Sequence, residues 1–254
     1  MLDPATGDVL FARYAYPPNE LGYCGPDDPE ALLEFAAGSD HYPLGNRAAA
    51  FEGAWAYLES IASATGLDPL DARVVEAYWI GNDLLDRIDP AAFGAEIRRR
   101  FAGETLADWA ALAGPDGAGP QHAVPHHSFQ VFVVYPWVRL LGRGGAALQV
   151  LDRCRIRDGE VLKVDGDEIV VRYEPLEWDG QSLFLGAPVQ ERARWAQNGR
   201  SLLAAVTPGD RVALHWDWVC DRLTPVMAAE LRKRTATQLD WTNLARGLSR
   251  AEPA

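Results

Sequence analysis

Hydrophobic spacing divides the chain into two unlike stretches. From Asn46 to Ala64, the residues Phe51, Trp55, Leu58 and Ile61 recur at helical intervals and predict an amphipathic helix. A second helical pattern opens at Asp68-Pro69-Leu70-Asp71 and runs to about Ile88, with Val75, Trp79, Leu84, Leu85 and Ile88 on its apolar side. Asp89-Pro90 starts a third, ending near Arg98-Arg99-Arg100, because an aspartate cap followed by proline is an N-terminal signal. Asp28-Pro29-Glu30 likewise opens a short helix to Phe35, but residues 1–45 otherwise read as irregular. Leu106 to Ala113 reads as one more helix, and 114–120 (GPDGAGP) as a loop. The stretch 126–142, HHSFQVFVVYPWVRLLG, satisfies both periods and is read as a helix kinked at Pro136.

After 142–145 (GRGG), alternation with a period of two takes over. Strands are expected near 154–164, 168–175, 182–187, 201–206 and 211–217, with turns at Asp165-Gly166-Asp167 and Pro208-Gly209-Asp210. Cys154 is placed at the start of the first strand. Proline around 186–190 makes that part a loop. A terminal helix is expected from Pro225 to Gly247. The fold class is therefore α+β, with an N-terminal all-helical domain over 1–145 and a small β-barrel with a C-terminal helix over 146–254.

The composition narrows the function classes. Hydrophobic residues make up 48% of the 254, enough for a sizeable core, and the net charge is −12 with Lys and Arg totalling 24. An acidic balance disfavours nucleic acid and anionic membrane surfaces, both of which need positive charge. No apolar run approaches the length of a membrane span and no secretory signal is visible, so a cytoplasmic location with free thiols is expected. The three cysteines, Cys24, Cys154 and Cys220, form no CxxC pair. Phosphate-loop, dinucleotide, nucleophile-elbow and HExxH motifs are all missing.

Two residues of the second stretch carry soft-metal chemistry. Val212 and Leu214 alternate with Ala213 and His215, so His215 faces away from the two aliphatic side chains. A thiol at Cys154 and an imidazole at His215 on one small β unit are a candidate two-ligand metal site. The plainer alternative, a packed thiol and an ordinary strand histidine, stays open. In the helical stretch, Cys24, His41, His122, His126 and His127 are secondary candidates. A helical HxxxHH would bring His122 and His126 to one metal, whereas Pro120 and Pro125 favour an extended, solvated segment. Trp216 and Trp218 either shield a metal site from water or fill the end of the barrel.

Several stretches together resemble the HypC/HupF family of nickel–iron hydrogenase maturation chaperones. They are Cys154, Gly159-Glu160-Val161, Asp165-Gly166-Asp167 and Ile169-Val170-Val171, then Gly209-Asp210, Arg211 to Leu214, His215, and the run from Trp216 into Leu223. The likeness covers roughly 153–245. The whole chain is also loosely similar to an uncharacterised actinobacterial hydrogenase-associated family. The resemblance implies an OB-like barrel, with Cys154 and His215 holding iron that carries cyanide and carbon monoxide. Asp210 or Asp217 would then be an outer partner of the imidazole. The implied partners are hydrogenase maturation proteins or the hydrogenase large subunit, with no nucleic acid and no membrane. Two departures stand out: Cys154 is internal rather than N-terminal, and residues 174–206 are longer than the family's segment. The competing readings are an iron- or haem-dependent enzyme in the helical domain that makes or loads a diatomic ligand, and a metal-free interaction module.

Overall fold

The computed structural model describes residues 5–38, 44–101 and 123–245. His41, His122, the expected helix at Leu106–Ala113 and the loop at 114–120 lie outside them. The first surprise is α1, Gly7–Glu20, in a region expected to be irregular. Its prolines, Pro17 and Pro18, lie within the final turn, and its Phe11, Tyr14 and Tyr16 are buried. Burial of three aromatic rings outweighs a poor local propensity. Next come α2, Pro29–Ala36, and α3, Gly45–Ala49, followed by α4, Glu52–Thr65. The helix expected over 46–64 is thus broken at Ala50–Phe51. The pattern expected to open at Asp68 becomes α5, Ala72–Trp79, capped by Asp71 through the Arg73 N–H, and then a 3-10 turn, Asp83–Arg87. α6, Pro90–Arg100, starts at its Asp89 cap as its sequence suggests.

The ambiguous stretch is neither one strand nor one kinked helix. It comprises a single turn, His127–Phe129, a π turn, Gln130–Val134, and a 3-10 turn, Pro136–Leu140. Then α7, Ala146–Cys154, ends where a strand was expected to begin. Cys154 is therefore a helix-terminal residue, and β1 starts only at Arg157.

β1, Arg157–Asp165, pairs antiparallel with β2, Glu168–Tyr173. Two short hairpins follow the sequence's loops: β3, Leu176–Trp178, with β4, Leu183–Leu185, and β6, Ala196–Gln197, with β7, Arg200–Ser201. Between them lies β5, Val189–Arg194, which pairs with β2 and begins inside the loop expected around 186–190. β8, Arg211–His215, pairs with β1 and with β9, Trp218–Arg222. β9 was expected to be a run into a helix. β5 and β9 meet in parallel through Arg194↔Trp218, so the hydrogen-bonded order runs β1-β2-β5-β9-β8 and back to β1. The terminal helix is α8, Pro225–Ala245. No described helix is long and apolar enough to cross a membrane.

Strand alternation sorts the side chains into two cores. Val161, Ile169, Val171, Ala193, Val212, Leu214 and Val219 fill the inside of the ring. Ala213, Trp218 and Cys220 belong instead to a larger core with Phe11, Tyr14, Val75 and Trp79 from the helices. The ring and the helical stretch are thus packed through one continuous apolar layer. Its rim is fastened by charge: Arg194 reaches Glu20 at 2.6 Å and Asp217 at 3.0 Å, while the Trp218 indole N–H donates to Glu20.

Candidate metal centre

Three elements converge on one buried point. His127 comes from the single turn before the π segment, Cys154 from the last residue of α7, and His215 from the last residue of β8. A ligand atom from each lies within 4.8 Å of the others, and all three residues are buried. His215 is 1% exposed. The convergence follows from backbone bonds. The Trp216 N–H donates to the Arg153 carbonyl at 2.8 Å, tying the β8–β9 turn to the end of α7. Trp216 has φ 55°, a left-handed conformation costing a non-glycine residue about 1–3 kcal/mol, and its carbonyl accepts from the fully buried Arg157 guanidinium.

Hydrogen bonds select the tautomers. The His215 Nδ1–H donates to the Tyr14 carbonyl at 2.7 Å, leaving Nε2 as the bare lone pair. That Nε2 is buried with no partner among the described residues. The His127 Nε2–H donates to the Cys154 carbonyl at 2.8 Å, one of the carbonyls a helix end leaves unsatisfied. Its Nδ1 is then the lone-pair side of the ring and is in hydrogen-bond contact with the Tyr78 hydroxyl at 3.1 Å. Each imidazole is thus anchored to a main-chain carbonyl by one nitrogen, the arrangement that orients histidine as a metal ligand; the other nitrogen is unpartnered on His215 and meets the Tyr78 hydroxyl on His127.

Burial sets the charge states. It pushes the Cys154 thiol well up, holds His127 down to about 4, and holds His215 well below the usual imidazole range, helped by the neighbouring His127. Without metal the three groups are neutral at pH 7. A bound cation would take the cysteine as thiolate and both histidines as they stand, with release of one proton. One soft sulfur and two borderline nitrogens suit a late or borderline transition metal, and three protein donors leave positions open. The residues therefore fit a metal.

The three donors sit on the wall of a cavity of about 410 Å³, which also touches Cys24, Tyr78, Gln130, Tyr135 and Trp216. The Tyr78 hydroxyl lies 2.6 Å from Gln130 Oε1, and the Gln130 amide donates to the Tyr135 hydroxyl at 3.0 Å. The π turn presents Gln130 here, and Gly53 makes room for it: a Cβ on Gly53 would sit 2.2 Å from the amide nitrogen. Also on the cavity wall, Trp216 stacks on Tyr23 with centroids 4.4 Å apart.

The other sequence candidates divide. Cys24 lines the cavity but is not one of the three converging donors. His126, adjacent to His127, caps its own turn: Nδ1 accepts from the Ser128 N–H at 3.1 Å, and the ring is buried outside the cluster. Asp210 and Asp217 are not partners of the imidazole. Asp210 accepts from the Thr207 N–H and pairs with Arg222, Asp217 pairs with Arg194, and the Tyr14 carbonyl takes their expected place. A main-chain carbonyl leaves no mark in sequence. Gln130 did leave one, as a lone amide inside the apolar run FQVFVV.

Residues 3–248 match a family model described as "Family of unknown function (DUF6390)". The chain belongs to this family. No curated protein and no solved structure matches it.

Proposed function

We propose that this protein is an accessory factor of nickel–iron hydrogenase assembly, which holds iron bearing cyanide and carbonyl ligands at Cys154, His215 and His127. The observation that carries the metal part is the unpartnered, buried His215 Nε2 in a cluster with the His127 imidazole and the Cys154 thiol. A buried histidine nitrogen without a protein partner, set in a cluster with a thiol and a second imidazole, favours a metal centre over a metal-free interaction module. The hydrogenase part rests on the resemblance over 153–245, now joined by an OB-like reading of the ring. Five strands in the order β1-β2-β5-β9-β8, antiparallel but for one closing pair, suit a small Greek-key barrel of that kind. Thiolate and imidazole retain low-spin iron, the open positions hold the diatomics, and the cavity gives them room. The partners on this reading are hydrogenase maturation proteins or the large subunit, in the cytoplasm.

The test is anaerobic co-expression with the hydrogenase maturation proteins, followed by infrared spectroscopy and metal analysis of the purified full chain. Cyanide and carbonyl stretches are expected in the wild type and lost in Cys154→Ala and His215→Ala. Bands that survive in both variants, or iron equally retained by both, overturn the assignment.

A second reading is favoured by the polar wall of Tyr78, Gln130 and Tyr135, which a carrier does not require. It is an iron-dependent enzyme that makes or loads a diatomic ligand, with the helical stretch contributing His127 and this wall. Stoichiometric iron without diatomic bands in the same preparation selects it.

A further inference from the structure

The cavity contains a second thiol that the three-donor centre does not use. Cys24 lies on the turn after α1, and its side chain lines the same cavity as Cys154 and His215. Cys24 is partly exposed whereas Cys154 is buried, so Cys24 stands on the solvent side of the centre. The Asn19 amide holds the turn by donating to the Cys24 and Pro26 carbonyls, each at 2.7 Å. The preceding residue, Tyr23, is 54% exposed and closes against Trp216, the neighbour of His215. A second soft sulfur thus shares one cavity with the three donors, among them His215 with its unpartnered Nε2.

We propose that Cys24 is a transit thiol, which takes a thiophilic divalent metal at the cavity mouth and passes it to Cys154, His127 and His215, or back to solvent. This rests on the three-donor centre but not on the identity of the cargo. The exchange is balanced without redox change. As the metal–sulfur bond forms, the Cys24 thiol gives its proton to water and one aqua ligand leaves the metal. As the inner donors take over, the Cys154 thiol gives its proton to water, the Cys24–metal bond breaks, and the Cys24 thiolate regains a proton from water.

Cobalt(II) is a suitable probe, since its thiolate charge-transfer absorption reports sulfur ligation directly. In the full chain, Cys24→Ser should bind cobalt(II) with wild-type affinity and the same single-thiolate spectrum, while removal by excess chelator slows about tenfold, one decade in rate. Cys154→Ala should lose the charge-transfer band. Equal removal rates in wild type and Cys24→Ser overturn the transit role and leave the three-donor centre standing. A loss of affinity in Cys24→Ser as large as in Cys154→Ala overturns it too, by making Cys24 a resident ligand. A wild-type chain that binds no cobalt(II) through sulfur overturns both this role and the metal centre beneath it.

Discussion

The two faces of β8 differ in what they demand of a side chain. Facing inward, Val212 and Leu214 join an apolar cluster with Val161, Ile169, Val171, Ala193 and Val219 of the other strands. Facing the helices, Ala213 and His215 meet a mixed layer in which tyrosine, tryptophan, cysteine and histidine lie together. Ala213 registers opposite Asp221 of β9, so that face also carries a partly buried carboxyl, paired with Arg13 of α1 at 3.6 Å. One strand thus supports a core that only packs and a layer that packs and binds. Alternation alone separates them, by placing successive side chains on opposite sides.

The contrast can be broken with adjacent residues. Leu214→Ala leaves a cavity in the close-packed ring and is expected to cost about 2–5 kcal/mol in chemical denaturation. Cobalt(II) affinity of the folded fraction should stay at the wild-type level. His215→Ala should do the reverse. Its stability cost is about 1–3 kcal/mol, from the orphaned Tyr14 carbonyl and lost packing, while metal binding through sulfur and nitrogen collapses. If Leu214→Ala weakens metal binding as much as His215→Ala does, the two faces are not independent.

This division explains what could be read from the sequence and what could not. The placement of His215 opposite Val212 and Leu214 was legible, because a strand's period is local. The approach of Cys154 to His215 was legible only by resemblance, and for a partly mistaken structural reason. Cys154 reaches the centre as the end of α7, not as the start of a strand. An apolar pattern beginning at Ile156 disguised the boundary, since helix ends and strand starts share residues such as Arg155. His127 was one of a histidine group whose proposed geometry involved His122 and His126. What distinguishes it from His126 is a bond to the carbonyl of Cys154, twenty-seven residues away. α1 and β9 escaped notice because tertiary burial, not local preference, holds them. Pro17-Pro18 argues against a helix, and WVCDR carries no clean alternation, yet Trp218 is fully buried between Tyr16 and Arg194.

The weakest test probes the helix-facing layer through Asp221. Burial raises its carboxyl to about 6, against the opposing pull of Arg13. In the unfolded chain the same group titrates near the ordinary 3.8. Between those values the folded chain keeps a proton that the unfolded chain has released. Folding therefore loses stability from this group as pH rises through the window, and the loss is complete above it. Asp221→Asn removes the ionisation while retaining an acceptor for the Arg222 N–H, which the carboxylate holds at 2.9 Å. The variant should match wild type near pH 4 and exceed it at pH 7.5 by on the order of 1–2 kcal/mol, read from urea midpoints across the range. No corresponding pH dependence is expected from Leu214→Ala, which neither adds nor removes a titratable group. A difference between Asp221→Asn and wild type that stays constant with pH would mean the carboxyl ionises as freely in the fold as in the open chain, and that the helix-facing layer is wetter there than its packing requires.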